Sequence, residues 1–337
     1  MVYNKYIGII GGTGTIGSII VKYLLQLQTH FHVLIGGRRS IKEISMSTFY
    51  NSERLKYNQM NYNNDVELDN FCSQCLLVIN AVGPSFKIND KIALHALRNN
   101  CHYIDIGGYG ILRDLLKPYE KSIEAQKLCF IIGVGWMPGI SGVFSKTIIE
   151  THLNSPENTN FNIYYGAVDN WSYSSTYDLA ASSMGKTRSY VYSHGKEIQV
   201  SPFRYTHHKF FPFIGHKKIC MPSFDEQLTQ LATSLKQIRK ISTFIMLNDY
   251  ISMGKFMFIK IFYKHNLNKA TLMLQDDYQR LVKKENKWGS VICQVSKIEP
   301  ERKIDTFYYL YTKNNLLYTA LPAVITTQYI LEGKTKI

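Results

Sequence analysis

Near the start of the chain, an unbroken run of apolar residues is followed by apolar residues at helical spacing and then by a second apolar run. Residues 7–10 form an apolar run that predicts a buried strand, and Ile16, Ile20 and Leu24 recur at the spacing of one helix face. A second apolar run at 31–35 follows the helix. Two strands joined by a helix of this length predict a β-α-β unit with parallel strands.

The same alternation continues through the first part of the chain. The pattern predicts strands at 57–66, 76–79, 101–105 and 128–134, and helices at 90–98, 111–125 and 143–151. Strands that alternate with helices are typical of an open α/β fold. We therefore predict an N-terminal Rossmann domain with a parallel sheet over residues 1–142.

After about residue 160 the pattern changes to strand-like alternation. It predicts strands at 161–168, 189–200 and 255–263, and one long amphipathic helix at 224–246. This order indicates an α+β substrate domain over 143–316 with a mixed or antiparallel sheet. The last helix, 317–333, ends at a glycine, and we expect it to pack back on the first domain.

A glycine-rich turn lies between the first strand and the first helix. It runs Gly12-Thr13-Gly14-Thr15-Ile16-Gly17 after Gly11. The first glycine permits a tight turn, Gly14 lets the backbone approach a pyrophosphate, and Gly17 lets the helix pack closely on the strand. The free N–H groups of the helix then face the phosphates. These six residues are the predicted core of a dinucleotide site.

The end of the second strand indicates which dinucleotide binds. An acidic residue at this place accepts hydrogen bonds from the ribose of NAD, whereas NADP requires a cation. Here the chain has Gly37, Arg38 and Arg39, and the nearest acid, Glu43, lies further on. Two guanidiniums can clamp a 2′-phosphate, so NADP(H) is the predicted cofactor. The alternative is a solvated basic turn.

Two more strand ends are predicted to meet the cofactor. The first is the turn Asn80-Ala81-Val82-Gly83-Pro84. The second is Asp105, which precedes Gly107 and Gly108 and is a candidate for contacting a substrate amine or orienting the nicotinamide. Ligands of open α/β sheets bind at the carboxyl ends of the strands, where both features lie. The alternative role of Asp105 is to cap the glycine turn.

Composition narrows the function further. The chain has 337 residues, 45% of them apolar, and a formal net charge of +14. We expect a cytoplasmic protein that does not span a membrane. We also expect no nucleic-acid binding, because the cations are dispersed and no nucleic-acid motif is found. The six cysteines are scattered, and the pair Cys72 and Cys75 lacks the partners of a zinc site, so no metal is predicted.

Together these landmarks resemble the saccharopine dehydrogenase-like family of NADP-binding oxidoreductases. The matching pieces are the glycine turn, Gly37-Arg38-Arg39, the turn 80–84, the stretch 101–108 and the turn Gly135-Trp136-Met137-Pro138-Gly139. The resemblance implies a Rossmann domain joined to a substrate domain, with the active site in the cleft between them. It also implies hydride transfer, in the better-known members to the C=N bond of an imine. Trp136 and Met137 stand where many relatives have polar residues, which suggests a less charged substrate.

Candidate catalytic and substrate residues lie mainly in the second domain. Tyr173 belongs to a hydroxyl-rich loop and His207 could supply a proton near neutral pH, so both join Asp105 as catalytic candidates. Substrate-binding candidates are Trp136, Met137, Ser175, Thr176, Lys186 and Arg188. Serine and threonine before a helix are also ordinary caps, and the two cations could be solvated surface.

The sequence therefore predicts an NADPH-dependent reductase of a C=N bond, acting on a small-molecule substrate. One alternative is a reductase of a C=C or carrier-protein-bound intermediate in a secondary-metabolite pathway. Another, from a different class, is a protein that binds NADP as a sensor or scaffold without turnover. A symmetric homodimer through the sheet of the second domain, which would then serve for both substrate binding and dimerisation, is the usual expectation for such a fold.

Overall fold

The structure is a computed structural model that describes residues 5–27, 30–40, 52–108, 110–152, 156–184, 189–223, 226–263 and 265–335. The chain divides into two compact units. Unit 1 comprises Met1–Gly139 with Leu316–Ile337, and unit 2 comprises Ile140–Asn315.

Unit 1 is built on a parallel sheet with helices between its strands. Its strands are β1 (Tyr6–Ile10), β2 (Val33–Gly37), β3 (Leu55–Gln59), β4 (Cys75–Asn80), β5 (His102–Asp105) and β6 (Phe130–Ile132). Its helices are α1 (Thr15–Gln26), α2 (Asp65–Cys72), α3 (Ser85–Ile88), α4 (Lys91–Arg98), α5 (Gly110–Leu116), α6 (Glu120–Ala125) and, apart from its first residue, α13 (Asn315–Leu331). The strand order β3-β2-β1-β4-β5-β6 is that of the predicted Rossmann fold.

The strands of unit 1 bury apolar residues on both faces. Leu77 and Ile79 of β4 pack in one cluster with α1 and α13, whereas Val78 between them packs in the opposite cluster with α2 and α4. Residues buried on both faces make the run continuously apolar, which is why the sequence marks these strands clearly.

Unit 2 contains an eight-stranded mixed sheet. Its strands are β7 (Thr159–Val168), β8 (Ser189–Ser193), β9 (Lys196–Val200), β10 (His207–Phe211), β11 (His216–Pro222), β12 (Lys240–Leu247), β13 (Trp288–Ile298) and β14 (Lys303–Thr312). Its helices are α7 (Ile140–Thr151), α8 (Tyr173–Met184), α9 (Pro202–Tyr205), α10 (Glu226–Ser234), α11 (Tyr250–Phe262) and α12 (Leu267–Lys284). The path β10-β11-β12-β7-β13-β14 is antiparallel except between β12 and β7, and the β8–β9 hairpin joins at β12.

Two predicted elements of unit 2 are wrong. The helix predicted at 224–246 is the shorter α10 followed by the strand β12, and the strand predicted at 255–263 lies mostly in the helix α11. Seven of the eight residues of β12 are buried, so the period of two that marks a strand is absent. In α11 large apolar side chains such as Phe258 face solvent as well as the core, which hides the helical period.

Smaller differences in the helices have local causes. The helix predicted at 111–125 is interrupted by a short 3-10 turn at Lys117–Tyr119, where Pro118 cannot continue the helical hydrogen bonds. The residues predicted as one strand over 57–66 comprise the end of β3, a turn at 60–64 and the start of α2, which begins after Asn64. The Asn64 side chain accepts hydrogen bonds from the Val66 and Glu67 N–H groups and thereby caps α2.

Candidate functional site

The glycine turn connects β1 to α1 by a close backbone approach. Gly11 has φ +84°, and its carbonyl accepts a hydrogen bond of 2.9 Å from the Gly14 N–H. A Cβ on Gly17 would lie 2.2 Å from the Gly11 oxygen, so only glycine fits there without a shift of the backbone. The helix α1 has no side-chain cap at its N-terminus. Its first N–H groups are thus available to an anion.

Arg39 lies directly beside this turn. Its Nη2 donates to the Thr13 carbonyl oxygen at 3.1 Å and to the Thr13 Oγ1 at 3.3 Å. Both Arg38 and Arg39 are exposed, and in the part of the chain that the structure describes no carboxylate pairs with either guanidinium. The turn and the cations therefore form one anion-binding edge that has no acidic residue among those the structure describes, as NADP requires.

The neighbouring strand β3 holds the backbone of the two arginines. The Tyr57 hydroxyl donates to the Arg39 carbonyl at 2.5 Å, and the Gln59 Nε2 donates to the Arg38 carbonyl at 3.3 Å. Sequence reasoning missed both residues. The sequence shows that Tyr57 and Gln59 are two residues apart in a strand and so point to the same side. Only the pairing of β2 with β3 shows that this side reaches the arginines.

The turn after β4 is held by the side chain of Asn80. Its Oδ1 accepts from the Val82 N–H at 3.0 Å, and its Nδ2 donates to the Asp105 Oδ2 at 2.8 Å. The Ala81 N–H donates to the Ile10 carbonyl at 2.9 Å, and the peptide bond between Gly83 and Pro84 is cis. The turn 80–84 thus lies next to the end of β1, at the carboxyl edge predicted to hold the cofactor.

Asp105 is buried and its carboxylate is fully engaged. Besides the bond from Asn80, Oδ2 accepts from the Tyr103 hydroxyl at 2.6 Å, and Oδ1 accepts from the Gly108 N–H at 2.5 Å. Burial and the adjacent Asp105 carboxylate raise the pKa of Tyr103 well above its usual range, so Tyr103 stays a donor. These contacts are those of the turn-capping role that the sequence left open. A catalytic role for Asp105 stays a prediction.

A small pocket opens beside this network in unit 1. It is lined by Asn80, Ser85, Phe86, Asp105 and Ile111, among others. Gly107 makes room for Ser85, since a Cβ on Gly107 would lie 1.9 Å from the Ser85 Oγ. The pocket combines apolar walls with a few polar groups at the carboxyl edge of the sheet, and its volume of about 10 Å³ is that needed by a single water molecule.

Trp136 and Met137 lie in a tight turn at the end of unit 1. The Gly135 N–H donates to the Pro138 carbonyl at 3.1 Å, and Gly139 has φ +129°. Both predicted substrate residues are half-buried, and the Trp136 ring meets the Tyr318 ring edge-on at 6.1 Å. The contact with Tyr318, in the C-terminal helix, is one that the sequence could not show.

The hydroxyl residues of unit 2 lie at the start of α8, so Tyr173, predicted in a loop, is the first residue of a helix. Thr176 is buried and its Oγ1 donates to the Ser172 carbonyl at 2.9 Å, while the Ser172 Oγ accepts from the Ser175 N–H at 3.2 Å. These are capping contacts, with Ser172 as the cap. A carboxylate-binding role for Ser175 and Thr176 stays a prediction, and Lys186 and Arg188 lie outside the described residues.

The two catalytic candidates of unit 2 have different neighbours. The Tyr173 hydroxyl is exposed and donates to the Asn268 Oδ1 at 2.8 Å. His207 is half-buried, with Nδ1 2.9 Å from the Tyr205 carbonyl and Nε2 3.5 Å from the Tyr164 hydroxyl. In the described part of unit 2, the side chains of Tyr173 and His207 therefore contact different residues and do not contact each other.

The cysteines lie in the protein interior. All six thiols are buried and free, and burial raises the pKa of Cys72 and Cys75 above its usual range. Among the described residues no group of histidine, cysteine and acidic side chains could hold a metal ion. Nor does any helix within the described ranges combine the length and apolarity needed to cross a bilayer.

Comparisons with known proteins agree with this geometry. Residues 7–129 match the family described as the saccharopine dehydrogenase NADP binding domain. Over 99% of the chain, the fold is similar to apo saccharopine dehydrogenase (L-Glu forming) from Saccharomyces cerevisiae, with a TM-score of 0.68, 13% identity and 92% of that protein covered. No curated protein matches the sequence.

A looser likeness joins the chain to a biliverdin reductase from Synechocystis sp. PCC 6803, solved with biliverdin and NADP⁺. The TM-score is 0.45 at 11% identity, over 98% of this chain and 92% of that one.

The family match covers the β-strands, the glycine turn and the arginine pair that form the anion-binding edge. Gly17 and Arg39 have the close backbone approach and the cationic partner that NADP needs there. Residues 7–129 of unit 1 are therefore a saccharopine dehydrogenase-type NADP(H)-binding domain, whereas the likeness to saccharopine dehydrogenase over the whole chain is one of fold.

Proposed function

We propose that this oxidoreductase uses NADPH to reduce a C=N bond, an imine formed from an amine and a carbonyl compound. The use of NADPH is supported by the position of Arg39 beside the glycine turn, where it has no acidic partner in the described residues. The imine half is supported by the family resemblance, whose better-known members form secondary amines. The half-buried Trp136 and Met137 favour a substrate that is less charged than a diamino diacid.

The residues of unit 1 divide the work of holding the cofactor. The glycine turn and the first turn of α1 would bind the pyrophosphate, and Arg38 and Arg39 would bind the 2′-phosphate. The turn 80–84 would meet the ribose on the nicotinamide side. Asp105 acts as a positioning residue, because its three hydrogen bonds tie this turn to Tyr103 and Gly108. When bound, NADPH supplies the hydride.

An imine accepts hydride well only when it is protonated, so a proton donor is needed. Asp105 is poorly suited, because its carboxylate accepts from three donors. His207 directs Nδ1 at the Tyr205 carbonyl, whereas the Tyr173 hydroxyl is exposed and donates to the Asn268 side chain. Tyr173 is therefore our preferred donor.

The first experiment compares NADPH with NADH by fluorescence titration in Arg39→Ala and Arg38→Ala variants. Loss of one charge-assisted bond to the 2′-phosphate weakens NADPH binding by about 10- to 100-fold and leaves NADH binding unchanged. Arg113→Ala is the matched control, since Arg113 is an exposed arginine of unit 1 that pairs with Asp114. Equal affinity for both cofactors in the native protein would contradict the NADP assignment.

The second step follows NADPH absorbance in mixtures of amines and carbonyl compounds. Turnover that falls at least tenfold in Tyr173→Phe, with NADPH affinity unchanged, supports both the reaction and the proton donor. Tight NADPH binding without turnover of any free imine would move the proposal to a carrier-bound substrate or to a sensor without turnover.

A further inference from the structure

The outward face of α11 carries a stripe of apolar residues. Tyr250, Ile251, Phe258, Ile261 and Phe262 are 64%, 51%, 39%, 64% and 66% exposed. At about 100° per residue they lie, together with Gly254, within an arc of about 120° on one side of the helix. We call these six residues the α11 stripe.

The α11 stripe contains no charged residue, and the opposite face of the helix is already buried. Ser252, Phe256 and Ile259 of that face pack into unit 2. Lys255 lies at one border of the stripe, where it pairs with Asp276 at 2.6 Å. A helix that is apolar on both faces is typical of a buried helix, so this surface is expected to be covered in solution.

The positions of the stripe are symmetric about Phe256 in the chain. Tyr250 mirrors Phe262, Ile251 mirrors Ile261, and Gly254 mirrors Phe258. A two-fold axis pairs residue i of one copy with residue j of the other and j with i. An antiparallel α11 from a second copy, with the axis at Phe256, would therefore place each apolar residue opposite another residue of the stripe.

The centre of the stripe has complementary shapes. A Cβ added at Gly254 would meet no atom within 4 Å, so the helix has an open notch there. One turn later, Phe258 projects and packs on Phe262 with ring centroids 4.5 Å apart. In the antiparallel arrangement the Phe258 ring of each copy fills the Gly254 notch of the other, in the manner of ridges packing into grooves.

From this pattern we infer that the α11 stripe is the interface of a homodimer, occupied by the same stripe of a second copy of this chain. The stripe exposes about 500 Å² of apolar surface per copy, and two copies together bury about 1,000 Å², which is the lower limit of a specific interface. The dimer is thus expected to dissociate on dilution. This inference goes beyond the proposed reduction and does not depend on it.

The test measures mass by light scattering and dissociation by sedimentation velocity over a concentration series. The native protein sediments as a dimer, and Phe258→Asp weakens the dimer at least about a hundredfold, because the change occurs twice across the axis. Gly254→Leu fills the notch without a clash inside its own chain and also weakens the dimer. Phe203→Asp is the matched control, since Phe203 is 79% exposed but lies outside the stripe.

The antiparallel register has its own test. Ile251→Lys and Ile261→Glu each disrupt the dimer alone, and the double variant restores it, because the new lysine faces the new glutamate of the other copy twice. A parallel arrangement would give no rescue.

A native protein that stays monomeric up to about 100 μM would overturn the inference. A dimer whose dissociation constant is changed by neither Phe258→Asp nor Gly254→Leu would also overturn it. So would a monomer that binds vesicles of anionic phospholipid through the stripe. Circular dichroism and thermal melts of the same variants show whether they are folded, and NADPH titration tests the cofactor site of unit 1 independently of the dimer.

Discussion

At the scale of single residues, burial and hydrogen bonding give Asp105 a structural role, although its position at a strand end made it a catalytic candidate. We predict that Asp105→Asn lowers the free energy of unfolding by about 2–3 kcal/mol, because the amide places a donor against buried donors. NADPH binding weakens as the Asn80 turn loosens, while kcat at saturating NADPH stays within about threefold of native. Thermal melts, NADPH titration and steady-state kinetics check these outcomes.

Tyr103→Phe is the companion variant, since it removes one donor to Asp105 and leaves the carboxylate in place. Its expected cost is about 1–2 kcal/mol, with the same direction of change in NADPH affinity. If Asp105 were instead the proton donor, Asp105→Asn would abolish turnover at unchanged stability, and Tyr103→Phe would not reproduce it.

At the scale of elements, α11 and α12 are joined by an arginine clamp. Arg280 donates through Nη1 and Nη2 to the Asp249 carboxylate at 2.7 and 2.9 Å, and through Nε to Asp277 at 2.9 Å. Asp249 also caps α11 through the Ser252 N–H. We expect Arg280→Ala to cost about 2 kcal/mol in chemical denaturation, because it leaves the partly buried Asp249 carboxylate without its cation and leaves Asp277 with the longer 3.5 Å contact to Lys255.

The pH dependence of this clamp gives it a second readout. Burial alone would raise the pKa of Asp249, but the hydrogen bonds from Arg280 and Ser252 outweigh it and hold that pKa well below its usual range. A lowered carboxyl pKa contributes stability above about pH 4 that is lost as the pH falls. The difference between native and Arg280→Ala should therefore shrink on acidification below about pH 4. Arg302→Ala, which breaks an exposed pair with Glu299, should leave the free energy of unfolding nearly unchanged at any pH.

At the scale of the whole molecule, unit 1 is completed by the end of the chain. Ala320, Ala323 and Val324 of α13 belong to the same buried cluster as Ile9 and Ile35. We expect Ala323→Glu to lower the stability of unit 1 by about 3 kcal/mol or more and to weaken NADPH binding, because it buries a charge without a partner. Ile325→Glu is the matched control, since Ile325 on the same helix is 52% exposed. Equal effects of the two variants on the NADPH-monitored melt would contradict this account.

The sequence by itself determined the Rossmann fold and the cofactor edge of this protein. The β1 run, the glycines of the turn and Arg38-Arg39 are local signals, because a buried strand, a close backbone approach and a cation each require particular residues at a fixed spacing. The C-terminal glycine of the last helix, Gly333, was recognised for the same reason, and it has φ +65°. Such features depend on neighbours in the chain.

Only the tertiary structure decided the rest. Tyr57 and Gln59 reach the arginines through strand pairing, and Tyr103 and Asn80 engage the Asp105 carboxylate. The strand β12 and the helix α11 were mistaken for each other's type, since burial on both faces of β12 and exposure of an apolar face of α11 removed the period that tells them apart. Local residue pattern records what a segment prefers, whereas contacts between distant segments decide which of its faces is covered and which polar groups are already satisfied.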